Sequence, residues 1–359
     1  MIKLSPPEID ETDLAAVRDV LNSRWLVKGP QAAAFERELA AWVGAKHVVA
    51  VSSGTAAIQL ALQALGIGAG DEVIVPSLTY PATVHAVALC GATPRLVDVD
   101  GETWNIDPSA AAAAFSARTK AVLPVDLCGA PADLAALSRA LPDLDNRAIV
   151  DDAACALGAE RDGVRCCADA TLACVSFHPR KVITTGEGGA VFTDDDQLAA
   201  TLRRLRDHGR DTAGRFVAVA GNHRLSEMAA ALGRAQLRRI DRFLERRAAL
   251  VAQYKLRLKD HSKIRFQQLP NGFVHGYQTL AVELGAGVDR DAVIARMREH
   301  GVETTLGSFA AHLEPVYRDA GVTAPHSERL TAQLLALPLY PSLTETEVDT
   351  VCQALEKAI

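Results

Sequence analysis

From about residue 45 the chain alternates between two kinds of short segment. KHVVAVS, DEVIVP, TPRLVDVD, KAVLPVD, RAIVDDAA, TLACVSF and GGAVFTD are apolar, β-branched runs bounded by Gly, Pro or Asp, which predicts strands. GTAAIQLALQAL, ATVHAVALC, the alanine run after Pro108 and PADLAALSRAL lie between them and carry helix-forming residues. Parallel strands need a crossover between them, and strands buried on both faces read as continuous apolar runs. The alternation therefore predicts an α/β fold, a mostly parallel central sheet flanked by helices. The segment from 98 to 126 fits one βαβ crossover.

After about residue 194 the pattern changes. Residues 195–208 and 226–259 are rich in Leu, Arg, Ala and Glu at helical spacing, and the second stretch is long enough to bridge two domains. Beyond it, QTLAVEL predicts a strand, DRDAVIARMREHG a helix, and a last helix is expected from about Glu345. This is the outline of a smaller α+β C-terminal domain, residues 246–359, behind a large α/β domain, residues 1–245.

The 359 residues, 49% apolar and 23% charged, suffice for two such cores without disulfide or metal staples. The net charge of −6 is mixed along the chain, and no basic patch points to nucleic acid. Arg203, Arg204 and Arg206 cluster on a helical stretch, where a solvated face is the ordinary reading. The segment MIKLSPPEIDETDL has no apolar h-region, so no signal peptide is expected. No apolar run approaches the ~18 residues of a membrane span. A cytoplasmic setting follows, with the seven cysteines reduced and mostly buried. Adjacent Cys166 and Cys167 lack a C-x-x-C partner set, so a zinc site is not expected.

Three strand ends carry candidate chemistry. In VAVSSGTAAIQLAL, Ser53, Gly54 and Thr55 stand where a strand gives way to a helix. Free N–H groups there favour a phosphate, although a capped helix with no ligand has the same appearance. In VDDAACA, Asp151 and Asp152 close an apolar strand, where open α/β sheets bind ligands; a helix N-cap is the alternative. Lys181, 29 positions after Asp152, follows the strand TLACVSF and is either a solvated lysine or a Schiff-base lysine. Pyridoxal phosphate (PLP) needs an anion cradle, an acid for its ring nitrogen and a lysine for its aldehyde, and all three occur in that order. Tyr80, after DEVIVP, is placed to stack on a flat ring or to pack at a loop edge. No G-x-G-x-x-G follows the first strand, which argues against a Rossmann dinucleotide site.

The sequence also resembles the DegT/DnrJ/EryC1/StrS aminotransferases over nearly its whole length. The resemblance rests on KGPQAAAFERELAAWVGAKHVVAVSSGTAAIQLAL, GDEVIVPSLTYPAT, GATPRLVDVD, VDDAACALGAE, SFHPRKVITTGEGGAVFTDD, RDHGR, GNHRLSEMAAALGRAQL and LALPLYPSLTETEVD, in that order. It implies the type I PLP-dependent transferase fold and a homodimer with shared active sites. By motif position, Lys181 is implied as the Schiff-base lysine, Asp152 as the partner of the pyridine nitrogen and Tyr80 as the stacking ring. Gly54, Thr55 and Ser176 are implied for the phosphate, with Asn222 reaching the site of the neighbouring subunit. Cys155 departs from the family, which usually has Gln or His there, facing the cofactor's 3′-oxygen. The segment from Asp211 to Ala220 is short and lacks the family's aromatic content. The implied reaction moves an amino group from glutamate to a nucleotide-linked keto sugar, foremost a 4-keto-6-deoxy sugar. A 3-keto sugar, a cyclitol ketone, a PLP-dependent sugar dehydratase and a PLP-binding regulatory protein are the alternatives.

Overall fold

The computed structural model describes residues 1–141, 148–318 and 321–359. Among these residues, seven strands form the central sheet. Their order is His47–Val51, Gly189–Thr193, Leu172–Ser176, Ala148–Asp152, Thr119–Val122, Glu72–Pro76 and Thr93–Val97. All run parallel except Gly189–Thr193, which pairs antiparallel with both neighbours. Arg147, the first residue of the expected strand RAIVDDAA, lies outside the described residues. The inner strands Glu72–Pro76, Ala148–Asp152 and Gly189–Thr193 are buried along their whole length, as their unbroken apolar runs require. Because the strands are parallel, the ends near Ser53, Asp152 and Ser176 share one edge of the sheet.

Local signals start several helices. Ser53 Oγ accepts from Ala56 N at 3.1 Å ahead of Gly54–Ala64, and Asp10 forms a capping box with Asp13 ahead of Glu11–Ser23. The helix Pro30–Val43 is capped from far along the chain. The carboxylate of buried Glu227 accepts from Gly29 N, Gln31 N and Ala32 N, each at 2.8 Å. A carboxylate at a helix N-terminus satisfies free donors and meets the positive end of the dipole.

The long helical stretch 226–259 departs from the expected single element. It is two helices, Glu227–Leu237 and Ile240–Leu258, broken at Arg238–Arg239, where Arg239 has φ −114° and ψ 2°. The break lets the first helix lie against Glu11–Ser23 and Pro30–Val43 while the second turns toward the C-terminal unit. Ile240 and Phe243 still pack under the central sheet; Leu250, Val251, Tyr254 and Leu258 pack into the second core. Arg206 also departs from the solvated face expected of it. It is buried, donating to Glu36 and, at 2.8 Å, to the carbonyl of Ala50.

The second core is covered by an antiparallel sheet ordered Ile264–Phe266, Leu280–Leu284, Leu334–Leu337 and Thr305–Leu306. The helices Arg290–Glu299 and Glu345–Ala358 pack on it. The first residues of the chain join this unit: Ile2 N donates to Gly301 O and Leu339 N to Leu4 O. Two links then fasten it to the sheet edge. Phe309–Ala310 pairs antiparallel with Leu78–Thr79, and Ser77 Oγ lies 2.6 Å from His312 Nδ1. No helix among the described residues is long and apolar enough to cross a membrane.

Candidate active site

The strand ends and the C-terminal unit enclose a cavity of about 510 Å³. It brings together Gly54, Thr55, Tyr80, Asp152, Cys155, Ser176 and Lys181; Asn222 does not line it and is exposed. Asn222 forms an isolated bridge with Asp207, beside the Arg224–Asp207 ion pair.

Each wall follows from its local chain. At the first strand end, a Cβ at position 54 would stand 2.8 Å from Ser176 Cβ, so glycine keeps open the space between the helix start and Ser176. Asp152 ends its strand almost fully buried. Its Oδ2 accepts from Thr83 Oγ1 at 2.7 Å and its Oδ1 from Ala154 N at 3.2 Å. Burial pushes its carboxyl above the ordinary range, while Thr83, Ala154 N–H and Lys181 pull the other way. No ion pair neutralises it among the described residues, so the carboxylate is suited to a cationic group in the cavity. Lys181 Nζ donates to Cys155 Sγ at 3.0 Å. Cys128, buried in the same wall, is raised to about 12 by burial and by the nearby Cys155. Tyr80 is 67% exposed and meets Phe309 edge-on with centroids 5.9 Å apart, leaving a ring face free.

Asp151 points to the opposite face of the sheet. Arg161 binds it at 2.8 Å, Asp126 at 2.6 Å and Asp169 at 3.0 Å, and donates its Nε to Ala132 O. Burial raises both Asp126 and Asp151, and Arg161 only partly offsets it. Asp151 is thereby removed from the cavity chemistry, which leaves Asp152 as the acid at that strand end.

Several lining residues escaped the sequence reading. Thr83 lies in the quoted stretch PSLTYPAT, and its place one helical turn after Tyr80 was the available signal. Thr305, Ser308, Phe309 and Gln278 come from the C-terminal unit, and no local signal marks them. Gln278 Nε2 donates to Arg180 O at 2.7 Å, clamping the residue before Lys181. The clamp is held by buried Arg247, which donates to the carbonyls of Tyr277, Gln278 and Leu339. Burial lowers Arg247 to about 10.

The model of the DegT/DnrJ/EryC1/StrS aminotransferase family matches residues 7–356. The chain belongs to that family. Among similar solved structures is DesV of S. venezuelae, 36% identical, covering 99% of each chain with a TM-score of 0.92. TlmJ, an aminotransferase of Streptoalloteichus hindustanus, is 34% identical over 100% of this chain and 98% of its own, with a TM-score of 0.93. The putative sugar aminotransferase Spr1654 of Streptococcus pneumoniae is 27% identical over 100% of both chains, with a TM-score of 0.93, and is known in PLP and PMP forms. This DegT/DnrJ/EryC1/StrS protein is therefore a PLP-dependent aminotransferase. Its cavity fits the cofactor: a cradle that a Cβ at Gly54 would fill, a buried carboxylate without a cation, and a lysine amine open to the same space.

Proposed function

We propose that this aminotransferase moves an amino group from glutamate to a nucleotide-linked keto sugar, foremost a 4-keto-6-deoxy sugar. The observation that carries this reading is one cavity holding both the Lys181 amine and the Asp152 carboxylate, roofed by hydroxyl-bearing residues of the C-terminal unit. PLP supplies the electron sink and carries the amino group between the two substrates. Lys181 would anchor the cofactor, and its Nζ is the group placed to take the proton from the donor's α-carbon and return it at the cofactor's C4′. Asp152, held by Thr83 and Ala154 N–H, keeps its negative charge on the ring nitrogen. The open face of Tyr80 would stack on the ring. Gly54, Thr55 and Ser176 hold the phosphate, the helix start of Gly54–Ala64 contributing free N–H groups. Cys155 would offer the ring oxygen only a weak donor. Thr79, Thr279, Thr305 and Ser308 offer hydroxyls to a polyhydroxylated acceptor.

The proposal includes a homodimer in which Asn222 of the partner subunit completes the phosphate site. Supporting it are Asn222's position outside its own cavity and the exposed apolar side chains Trp25, Val27, Phe216 and Val219. The setting is cytoplasmic, and the product feeds a surface polysaccharide or a glycosylated small molecule.

The test follows both half-reactions. PLP-loaded protein is mixed with glutamate and its absorbance recorded, then a nucleotide-linked 4-keto-6-deoxy sugar is added and the product mass measured. An amino sugar formed one-for-one with 2-oxoglutarate is expected. A sugar transformed with no glutamate consumed would turn the reading toward dehydration.

A further inference from the structure

We propose that Arg180 is the specificity residue that receives the α-carboxylate of the amino donor and yields the same space to the neutral ring of the acceptor. The inference rests on the aminotransfer reading of the cavity and deepens it.

Two substrates must take turns at one amine position. An amino-acid donor carries its α-carboxylate on the very carbon that bears the amine. A keto sugar carries only neutral carbons there, and any phosphate lies across its ring. The donor thus brings a negative charge close to Lys181 that the acceptor lacks. The cavity is unfriendly to that charge, because Asp152 is buried in one wall and Glu187 stands on the rim. A cation beside Lys181 is needed to offset both.

Arg180 meets that need. It is the residue before Lys181, lines the cavity and is exposed. Its guanidinium has no ion pair among the described residues, whereas Arg161, Arg206, Arg224, Arg234 and Arg239 are all paired. Its backbone is held at both ends. Arg180 N donates to His178 Nδ1 at 3.3 Å, and Arg180 O accepts from Gln278 Nε2 at 2.7 Å. The chain is therefore fixed while the side chain is free to swing. His178 accepts at Nδ1, and burial lowers its pKa against the pull of Glu187, with Lys181 and Arg180 adding to the lowering. With Lys181 committed to the cofactor, Arg180 is the remaining fixed charge of positive sign in the lining. A planar guanidinium binds a carboxylate through two parallel hydrogen bonds, and having no partner to abandon, it can fold aside for a sugar ring.

The test uses the PLP-loaded protein and calorimetric titration with 2-oxoglutarate, which has the donor's carboxylates but no amine. Arg180→Ala is expected to weaken binding roughly ten- to hundredfold, the loss of a charged hydrogen-bonded pair, with Arg180→Lys between. PLP loading and the unfolding midpoint should stay at wild-type values, since the side chain has no partner to lose. Glutamate and its α-carboxamide are then compared as donors by absorbance; the wild-type preference for glutamate should vanish in Arg180→Ala. Unchanged 2-oxoglutarate binding in Arg180→Ala, no binding to the wild type, or a persisting preference overturns the assignment. If 2-oxoglutarate binds through Arg180 while glutamate never converts the cofactor, the glutamate-transfer reading fails and the carboxylate site stands.

Discussion

Asp151 and Asp152 are consecutive, both buried and both at the end of one strand, yet the sheet sends them into opposite worlds. On one face, Asp151 joins Asp126 and Asp169 around the cation of Arg161, away from the cavity lining. On the other, Asp152 is held by two neutral donors and looks into an open cavity shared with Lys181. The first arrangement spends its charges on one another. The second leaves a carboxylate and an amine unspent. A buried ionisable group that faces a cavity with no charge partner of its own is here the stronger candidate for a site.

The sharpest break in this comparison is on the cavity side. Lys181→Ala should lower turnover by at least the ~10²–10⁴-fold of a lost general acid–base group, while leaving thermal unfolding nearly unchanged. Residual turnover at wild-type level would remove Lys181 from the chemistry. Asp152→Asn should follow, with a loss of about 10²–10³-fold in the rate of cofactor conversion by glutamate, because the charge proposed for the ring nitrogen is replaced by a dipole. An unaltered rate would mean that the ring nitrogen is served by another group.

On the closed side the order reverses: stability suffers and chemistry follows only indirectly. Arg161→Met leaves three carboxylates without their cation and should cost about 3–5 kcal/mol in urea unfolding. A loss below about 1 kcal/mol would show that the carboxylates manage by sharing protons. The pH dependence has a definite sign. Burial, with Asp169 adding to it and Arg161 opposing, leaves Asp151 with a folded-state pKa above its unfolded value. The stability linked to it is complete below the ordinary carboxylate range and is lost as pH rises through the raised value. Asp151→Asn should therefore flatten the stability profile above about pH 4, the ordinary carboxylate range. A profile identical to wild type would place the titration elsewhere. The smallest effect is expected at Cys155. Cys155→Gln should load PLP as the wild type does, measured by cofactor fluorescence. Loss of loading would mean that the cavity has been rebuilt around the contact of the thiol with Lys181.

Much of this was legible in one dimension because strands and helices declare themselves by local periodicity. The alternation from residue 45 onward determined a parallel sheet, and a parallel sheet determined that Ser53, Asp152 and Ser176 gather on one edge. The helix cap at Ser53 was equally local. The two residues of VDDAACA were bound to face opposite ways, since side chains alternate along a strand. The resemblance implied Asp152 for the cavity; what no window of sequence displays is the Arg161 contact that holds Asp151 on the other face. The break at Arg238–Arg239 was hidden for a similar reason. Both halves have helical composition, and only the need to serve two separate cores separates them.

The sequence by itself therefore determined the layered fold and the edge of the sheet at which Ser53, Gly54, Thr55, Asp152 and Lys181 meet. Tertiary structure alone decided which distant polar partners meet around and beneath the cavity. Glu227 capping Pro30–Val43, Thr83 holding Asp152 and Gln278 fixing Arg180 are contacts between segments far apart in the chain. Periodicity reports which face of an element is apolar; it carries no address for the distant polar atom that a buried donor or acceptor must find.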